Sequence, residues 1–399
     1  MSNWNHLRRR EFLKQLSAAG ASVAAVGIAV QPAVAKEDKP PGQQRKIRVG
    51  VIGCGNVSGA YLTNLLASPF VEVVSVCDII PERAEAAAKK YKVPNFYPHI
   101  DKMLAGADFD LLVNLTSMPA HFPLNKAALQ AGKHVWTEKP MASSVGDGKE
   151  LLALAKQRNL GFWGAPTCVT SPQFRFMAET LAGGKLGRVC AAHASYGHLG
   201  PTWSAWFFQK GGGCLYDLGV YNITTLTGLL GPAKEVVGLS ATAIPVRHAE
   251  GRQVKAEADD NTMLLIDHGD AVFSHIQTGF VYFTALDHRS TERSHHTMDI
   301  IGTEGSMHLR GYDWGPHGVD LGTRRNPEVQ TFCADPGSYK WEYGASYVAE
   351  CLATGKKSLM TAEHALHVLE IMNACHESQQ TGRRVKIESS FLWPIIQGG

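Results

Sequence analysis

Short apolar runs alternate with helical patterns between residues 46 and 165. The segments around 122–131 and 146–158 have helical spacing, and the strands are predicted at IRVGVI, VEVVSVCD, DLLVNLT, KHVWT and LGFWG. Apolar strands that alternate with helices form a parallel sheet covered on both faces. This part of the chain therefore predicts a doubly wound α/β fold.

From residue 166 the pattern changes to alternating apolar and polar positions, as in GRVCAAHASY, EVVGLSATAI, TMLLIDHG and AVFSHIQTGF. A period of two is typical of antiparallel strands that bury one face. Near the end a helical pattern over 361–381 closes at Gly382, and we expect this helix to pack back on the first domain.

The chain of 399 residues is long for a single hydrophobic core, and its length favours two domains. The change of pattern places them at 46–165 and 166–399. With 44% hydrophobic and 19% charged residues, the composition is that of a globular protein. The net charge of +3 comes without clusters of Lys and Arg in the domains, which argues against nucleic acid as the main partner.

Residues 1–35 are set apart from the fold by their composition. Arg8–Arg10 precede a mildly apolar stretch over 16–30, and small residues follow at 33–35. This order resembles a twin-arginine export signal with its cleavage site, and it predicts a folded protein exported to the periplasm, with 36–45 as a linker. The alternative is a membrane anchor or a disordered arm. The apolar stretch is shorter than the roughly 20 residues of a spanning helix, so no membrane span is predicted.

The spacing of cysteine and histidine predicts no metal site. The eight cysteines form no CxxC pair, and His295 and His296 are adjacent instead of standing at ligand spacing. We therefore expect no metal among the cofactors.

A glycine-rich turn after the first apolar run predicts a dinucleotide site. Gly53 permits a tight turn, Gly55 lets the backbone approach a pyrophosphate, and Ser58 is small enough for close helix packing. Asn56 and Val57 complete the loop, and the phosphate would lie at the N-terminus of the following helix. The first domain is therefore predicted to be a Rossmann domain.

Asp78 ends the second predicted strand, twenty residues after Ser58. A carboxylate there accepts both hydroxyls of the adenine ribose and repels a 2′-phosphate, which favours NAD over NADP. Asp78 can also cap the helix that begins near Pro81, and the two roles are compatible. Arg83 is close enough in sequence to leave NADP open.

Five elements in fixed order carry a resemblance to a known family. They are the loop GCGNVSG, Asp78, Thr116 with His121 five residues later, the run AGKHVWTEKP, and GGGCLYDLGVY. This order resembles the glucose-fructose oxidoreductase and inositol 2-dehydrogenase family (Gfo/Idh/MocA) over nearly the whole chain after the export signal. The resemblance implies a nicotinamide-dependent oxidoreductase of sugars or polyols. It also implies a second α/β domain built on a large, open and mainly antiparallel sheet.

The resemblance further implies which residues form the site. Lys139 of the EKP run is the implied catalytic lysine, and Asp217 belongs to the second catalytic element. Tyr221 stands where most members carry histidine, as in the glucose-fructose oxidoreductase branch, whose members are also exported by a twin-arginine signal. The predicted cofactor site comprises Gly53, Gly55, Asn56, Val57, Ser58, Asp78, Thr116, His121, Glu138 and Lys139.

Lys139, Asp217 and Tyr221 carry groups suited to alcohol oxidation. Three glycines open a predicted helix on which Asp217 and Tyr221, four residues apart, lie on one face. A base must lie within hydrogen-bond reach of the substrate hydroxyl while a hydride leaves for the nicotinamide. Tyrosine, with an ordinary pKa of about 10, needs a nearby cation to favour the phenolate, and the Lys139 ammonium is such a cation. We expect Lys139 and Tyr221 to share the hydroxyl, with Asp217 orienting them or binding another hydroxyl. The alternatives are a solvated loop lysine, an aspartate near a helix N-terminus and a core tyrosine.

Three functions follow from these residues and stay open. The first is an NAD(P)-dependent oxidoreductase acting on a secondary alcohol of a sugar, polyol or sugar derivative. The second is a redox-neutral NAD-dependent glycosidase or lyase of the same fold, and the third is a non-catalytic sugar or nucleotide sensor. Because no free nicotinamide pool is expected outside the cytoplasm, an exported enzyme should bind its NAD tightly. We also expect a homo-oligomer formed through the open sheet.

Overall fold

The structure is a computed structural model that describes residues 45–283, 295–334 and 339–396. The predicted export signal, residues 1–35, and the linker up to residue 44 lie outside these ranges. Among the described residues, none of the helices combines the length and the apolar character that crossing a membrane requires.

A six-stranded parallel sheet forms the first half of the fold. Its strands are β1 (Ile47–Ile52), β2 (Val71–Cys77), β3 (Asn95–Tyr97), β4 (Leu111–Asn114), β5 (His134–Thr137) and β6 (Phe162–Gly164). They lie in the order β3-β2-β1-β4-β5-β6, which confirms the doubly wound Rossmann arrangement. Strand order reverses between β1 and β4, and ligands of such sheets bind at that point, beyond the carboxyl ends of the strands.

Helices connect the parallel strands. They are α1 (Ser58–Ala67), α2 (Pro81–Tyr91), α3 (Ile100–Leu104), α4 (Met118–Gln130) and α5 (Val145–Gln157). Helix α4 begins four residues before the predicted start at 122, so that prediction was wrong at its N-terminus. Pro119 lies in the first turn of α4, where a missing N–H costs no helical hydrogen bond, and Pro123 lies inside the helix.

A nine-stranded sheet forms the second half, in the order β16-β15-β14-β13-β7-β12-β11-β8-β17. The pairs are antiparallel except β7 with β12, which confirms a large, open and mainly antiparallel sheet. The elements in chain order are α6 (Pro172–Ala182), β7 (Val189–Gly197), α7 (Val220–Leu230), β8 (Glu235–Ala241), β9 (Val246–Ala249), β10 (Arg252–Lys255), β11 (Asn261–Gly269), β12 (Val272–Gly279), β13 (His296–Gly302), β14 (Gly305–Tyr312), β15 (Gly315–Thr323), β16 (Gln330–Phe332), α8 (Gly344–Thr354), α9 (Ala362–Thr381) and β17 (Val385–Lys386). Strands β9 and β10 pair as a separate hairpin.

The large sheet has an inner face covered by helices and an outer face that none of the described helices covers. On β7 the side chains of Ala192, Ala194 and Tyr196 are buried, whereas His193 and Ser195 between them are exposed. The inner face packs against α6, α7 and α9. This alternation is what the period-two pattern of the strands predicts.

Helix α9 joins the two halves. The Thr361 side chain accepts a hydrogen bond from the His364 N–H at its start, and Gly382 ends it with a φ of +65°. On one side α9 contacts the large sheet at β8, and on the other it contacts α5 of the Rossmann half. A Cβ at Gly148 of α5 would lie 2.8 Å from a methyl group of Leu366, so the two helices approach closely there. The exact domain boundary at 165/166 stays a prediction.

Candidate functional site

The glycine loop after β1 has the backbone geometry that close phosphate approach requires. Gly53 has a φ of +92°, and a Cβ there would lie 2.7–2.8 Å from backbone atoms of Leu115 and Thr116. Its N–H donates to the Cys77 carbonyl at 2.8 Å. At Gly55, by contrast, a Cβ would meet no atom within 4 Å. The loop is therefore tightly packed at Gly53 and open at Gly55.

This contrast gives a matched pair of variants. We expect Gly53→Ala to lower the free energy of unfolding by roughly 1–3 kcal/mol or more, because both the positive φ and the backbone contacts strain a side chain. Gly55→Ala should fold as the wild type does but bind NAD more weakly, because its methyl group occupies the path of the pyrophosphate. Thermal unfolding and NAD titration of both variants test this. Wild-type stability in Gly53→Ala, or wild-type affinity in Gly55→Ala, would contradict it.

The remaining loop residues begin helix α1. Asn56 is exposed, Val57 is half-buried and occupies the N-cap position, and the Ser58 hydroxyl donates to the Gly55 carbonyl at 2.6 Å. Ser58 is buried against the sheet, as expected of the small residue at this position. The N-terminus of α1 therefore lies next to the open side of the loop, where its N–H groups can bind an anion.

Asp78 lies at the end of β2 and is bonded to the glycine loop. One carboxylate oxygen accepts from the Cys54 N–H at 2.8 Å and the other accepts from the Ile80 N–H at 2.9 Å. Each oxygen retains a further lone pair for a ribose hydroxyl. The predicted capping of α2 by Asp78 was wrong, because Ile80 is the N-cap residue and no side chain accepts a hydrogen bond from the first turn of that helix. Burial, together with the Asp78 charge, raises the pKa of the Cys54 thiol to about 12.

Thr116 follows β4 and is held by two buried amides that the sequence analysis missed. Its hydroxyl donates to the Asn114 side-chain oxygen at 2.7 Å, and the Asn114 amide donates to Asn125 at 2.9 Å. Asn125 of α4 in turn donates to the Met141 carbonyl at 3.3 Å. A polar residue inside the apolar run LLVNLT was the available signal for Asn114. This chain of bonds fixes the ends of β4 and β5 relative to each other.

His121 is buried, and its exposed fraction is 1%. Its two ring nitrogens lie 2.6 Å from the Pro140 carbonyl and 3.0 Å from the Thr116 carbonyl. Burial lowers its pKa, while the two carbonyls raise it, and each nitrogen donates to its carbonyl when it carries the proton. His121 thereby joins two strand-end loops, and its predicted contact with the cofactor stays a prediction.

Glu138 connects the end of β5 with helix α1. Its carboxylate accepts from the Tyr61 hydroxyl at 2.5 Å and from the Lys139 N–H at 3.0 Å. Tyr61 is fully buried in α1. Glu138 therefore orients the backbone that carries Lys139, and its predicted contact with the cofactor stays a prediction.

Lys139 and Asp217 meet across the interface between the two halves. The Lys139 Nζ lies 2.6 Å from an Asp217 carboxylate oxygen and donates to the Asp217 backbone carbonyl at 2.7 Å. The side chains are only 10% and 16% exposed. Nζ also lies 5.1 Å from the ring centroid of Tyr221. The structure thus brings the three predicted catalytic side chains together.

The segment that carries Asp217 is not the regular α-helix that the spacing of Asp217 and Tyr221 predicts. Residues Leu215–Gly219 form a π-helical turn, and α7 begins only at Val220. The prediction of one continuous α-helix was therefore wrong. π-Helical turns are rare in proteins, and those that occur often lie at functional sites. Here the Asp217 carbonyl of this turn accepts a hydrogen bond from Lys139.

The surroundings of Tyr221 do not favour a phenolate. Burial raises its pKa well above the ordinary value, and the carboxylates of Glu138 and Asp217 raise it further. The expectation that Lys139 stabilises a phenolate fails because the ammonium is paired with Asp217 at 2.6 Å. Tyr196 packs edge-on against Tyr221, with ring centroids 6.3 Å apart, and so covers one side of the phenol ring.

A buried carboxylate that the sequence analysis missed anchors the π-helical turn. Asp259 accepts hydrogen bonds from the Leu215 N–H at 3.1 Å and the Cys214 thiol at 3.0 Å, and it lies 3.2 Å from His376 of α9. A Cβ at Gly213, whose φ is +112°, would lie 2.2 Å from the same carboxylate. Asp259 therefore fixes the N-terminal end of the turn that carries Asp217.

Two family models match the chain. The one described as "Oxidoreductase family, NAD-binding Rossmann fold" matches residues 47–163. The one described as "GFO/IDH/MocA C-terminal domain" matches residues 174–308. Together they cover the parallel sheet up to residue 163 and the large sheet as far as residue 308 in β14, including the glycine loop, Lys139 and Asp217.

Characterised proteins are similar to the chain at lower identity. A trans-1,2-dihydrobenzene-1,2-diol dehydrogenase of Bos taurus is 26% identical over 328 residues, covering 78% of this chain and 90% of that protein. A 1,5-anhydro-D-fructose reductase of Ensifer adhaerens is 25% identical over 351 residues, which cover 86% of this chain and 99% of that protein.

Solved structures have the same fold. A levoglucosan dehydrogenase in complex with NADH and levoglucosan superimposes with a TM-score of 0.74 at 20% identity, over 86% of this chain and 100% of that one. The WlbA dehydrogenase of Bordetella pertussis, in complex with NADH and UDP-GlcNAcA, superimposes with a TM-score of 0.71 at 21% identity, over 86% of this chain and 99% of that one.

Proposed function

Because the chain belongs to the GFO/IDH/MocA oxidoreductase family, whose Rossmann domain binds NAD, we propose that it transfers a hydride to or from a secondary alcohol of a sugar, polyol or sugar derivative. The observation that carries this proposal is the pair of hydrogen bonds from the Lys139 Nζ to Asp217. This contact lies beyond the carboxyl end of β5, where ligands of such sheets bind.

The residues of the first half fit NAD. The open space at Gly55 accommodates a pyrophosphate next to the N-terminus of α1, and the Asp78 carboxylate at the end of β2 is positioned for the adenine ribose. When bound, NAD supplies the hydride acceptor, and in the reverse direction NADH supplies the donor. The residues of this chain then have to bind the alcohol and move its proton.

Lys139 is the proton-transfer group in this proposal. Two of the three hydrogens of its ammonium go to Asp217, which leaves the third position for a substrate hydroxyl. As a neutral amine, Lys139 accepts the hydroxyl proton, and the Asp217 carboxylate stabilises the ammonium that results. Tyr221 remains a phenol and donates a hydrogen bond to the same substrate oxygen. In the reverse direction Lys139 returns the proton to the alkoxide oxygen.

Asp78→Ala tests the cofactor half of the proposal. We expect weaker NAD binding and a smaller preference for NAD over NADP, because the ribose acceptor and the charge that repels a 2′-phosphate are lost together. The carboxylate also bonds the Cys54 N–H, so Asp78→Asn, which keeps a hydrogen-bond acceptor there without the charge, is the matched control. Titration with both cofactors measures the change. Unaltered affinities for NAD and NADP in Asp78→Ala would place Asp78 outside the cofactor site.

A substrate panel tests the reaction. We expect nicotinamide absorbance at 340 nm to change with sugars or polyols that carry a free secondary hydroxyl, or with their keto forms, and aryl glycosides to release no aglycone. Aglycone release without net change in the nicotinamide would replace the proposal by the redox-neutral glycosidase. A chain that binds sugar but turns over neither class would support a sensor.

We further propose that the protein is exported by the twin-arginine route with its cofactor bound, and this rests on the sequence of residues 1–35 alone. Protein purified without added nucleotide should then contain close to one NAD(H) or NADP(H) per chain. Denaturing the sample and measuring the released nucleotide tests this. An empty site with readily exchanged cofactor would contradict tight binding and favour a cytoplasmic enzyme.

A homo-oligomer through the outer face of the large sheet is also proposed. This face exposes a continuous set of apolar side chains, and large exposed apolar areas commonly mark interfaces. The exposed apolar side chains of this face are Val237, Leu239, Met263, Leu265 and Phe273. Light scattering coupled to gel filtration should show an oligomer in the wild type and a smaller species in Leu239→Glu. A wild-type monomer would contradict it.

A further inference from the structure

The outer face of the large sheet carries a row of imidazoles and carboxylates that the proposed reaction does not use. Strand register places His275 beside His193, His193 beside Asp299, Asp299 beside His308, and His308 beside Asp320. All five side chains point to the same face, because the residues next to them in sequence are buried on the inner face. Tyr196, on the inner face of β7, belongs to the surroundings of Tyr221, so the sheet separates this row from the catalytic cluster.

Three residues of β13 and β14 converge on this face. One ligand atom from each of His296, Asp299 and His308 lies within 4.8 Å of the others. The His308 Nδ1 is 2.5 Å from an Asp299 oxygen, and the rings of His296 and His308 stack with centroids 5.0 Å apart. We propose that His296, Asp299 and His308 bind a divalent transition-metal ion of the zinc class.

The donor set selects the class of ion. Two imidazoles and one carboxylate suit zinc, cobalt or nickel, whereas magnesium and calcium prefer oxygen ligands throughout. With bonds of about 2.1 Å the ligand atoms of a tetrahedral site lie roughly 3.4 Å apart, so a small contraction of the cluster is sufficient. His296 is partly exposed and can make this movement. Three protein ligands would leave one position for water.

Neighbouring groups hold the ligands in place, as in known metal centres. The Asp320 carboxylate lies 2.8 Å from the His296 Nε2 and accepts from the Thr331 hydroxyl at 2.5 Å. Arg310 lies 3.4 Å from the same carboxylate. Because this guanidinium offsets the charge of Asp320, we assign Asp320 to orienting His296 and not to binding the ion. The Ser306 hydroxyl lies 2.9 Å from the His308 Nε2 and orients that ring.

The ligands lie on neighbouring strands, β13 and β14, so a bound ion would link them. This explains why cysteine and histidine spacing along the chain gave no indication of a metal: the convergence arises from strand pairing. An ion in this position would stabilise the sheet without taking part in hydride transfer. We therefore expect metal to raise the melting temperature and to leave turnover unchanged.

The experiment uses untagged protein that has been treated with chelator and dialysed. Calorimetric titration with Zn²⁺ should show one ion per chain, and Co²⁺ should give the visible absorption of a low-symmetry site. His308→Ala and Asp299→Asn should abolish this binding, and Asp320→Asn should weaken it by roughly 10- to 100-fold. Far-UV circular dichroism and turnover confirm that each variant is folded.

His193→Ala and His275→Ala are the matched controls, because both residues lie in the same row but outside the triad. They should bind Zn²⁺ with the stoichiometry and affinity of the wild type. The proposal is overturned if the wild type binds no Zn²⁺, if folded His308→Ala and Asp299→Asn bind it as the wild type does, or if the control variants lose it equally.

Discussion

Replacing Lys139 by methionine is expected to lower kcat by roughly 10²- to 10⁴-fold while NAD binding is retained. The substitution removes the Nζ that bonds both the carboxylate and the backbone carbonyl of Asp217, and with it the proposed proton acceptor. The glycine loop and Asp78 lie on other strand ends, so they should be unaffected. Steady-state kinetics with a substrate from the panel, together with NAD titration, measure the two effects separately.

Lys139→Met also leaves the Asp217 carboxylate without its partner at a site that is only 16% exposed. A partly buried carboxylate without its cation destabilises a protein, so loss of activity alone does not identify the cause. The double variant Lys139→Met/Asp217→Asn removes this charge and is expected to recover stability but not turnover. Lys126→Met, which breaks an exposed ion pair with Glu150, is the control for losing a lysine, and it should keep wild-type kcat. Turnover retained in Lys139→Met would defeat the proposed mechanism.

The cofactor half of the site could be predicted from sequence because its determinants are local. Gly53, Gly55 and Ser58 act through backbone geometry within one turn, and Asp78 acts from the end of the adjacent strand. A short motif between a strand and a helix is therefore enough to identify it. Likewise the alternation of apolar residues predicted both the parallel sheet and the strands of the large sheet.

The catalytic half depends on contacts that local patterns do not contain. Lys139 and Asp217 are 78 positions apart, and only the resemblance to a family suggested that they belong together. The π-helical turn at Leu215–Gly219 arises from tertiary constraints, among them the hydrogen bond from the Leu215 N–H to Asp259. The spacing of Asp217 and Tyr221 therefore predicted the wrong kind of helix.

The pKa of Tyr221 likewise depends on contacts that the local sequence pattern does not contain. A lysine in the neighbourhood suggested a lowered pKa, but the sequence does not reveal that Asp217 engages this lysine and that the phenol is partly buried. Desolvation disfavours a charged phenolate, and neighbouring carboxylates disfavour it further. Pairing and burial thus reverse the direction of the shift that the residue types alone suggested.

Tyr221→Phe is expected to lower kcat by roughly 10²-fold, because it removes one hydrogen-bond donor to the substrate oxygen and leaves Lys139 and Asp217 in place. Asp217→Asn should lower kcat as well, since the amide no longer stabilises the ammonium form of Lys139. Tyr216→Phe is the matched control. It lies in the same segment, and its hydroxyl accepts a hydrogen bond from Asn373 at 3.1 Å, away from Lys139, so kcat should stay near that of the wild type.

The pH dependence distinguishes a phenol that donates from a phenolate that accepts. Because the pKa of Tyr221 lies well above its ordinary value, the residue stays protonated between pH 6 and 9 and does not titrate there. The profile of kcat against pH in Tyr221→Phe should therefore keep the shape of the wild-type profile at a lower level. If the substitution instead removes a rise of kcat with pH that the wild type shows, Tyr221 is the base. If kcat itself is unchanged, the phenol only packs against Tyr196, and Lys139 acts without it.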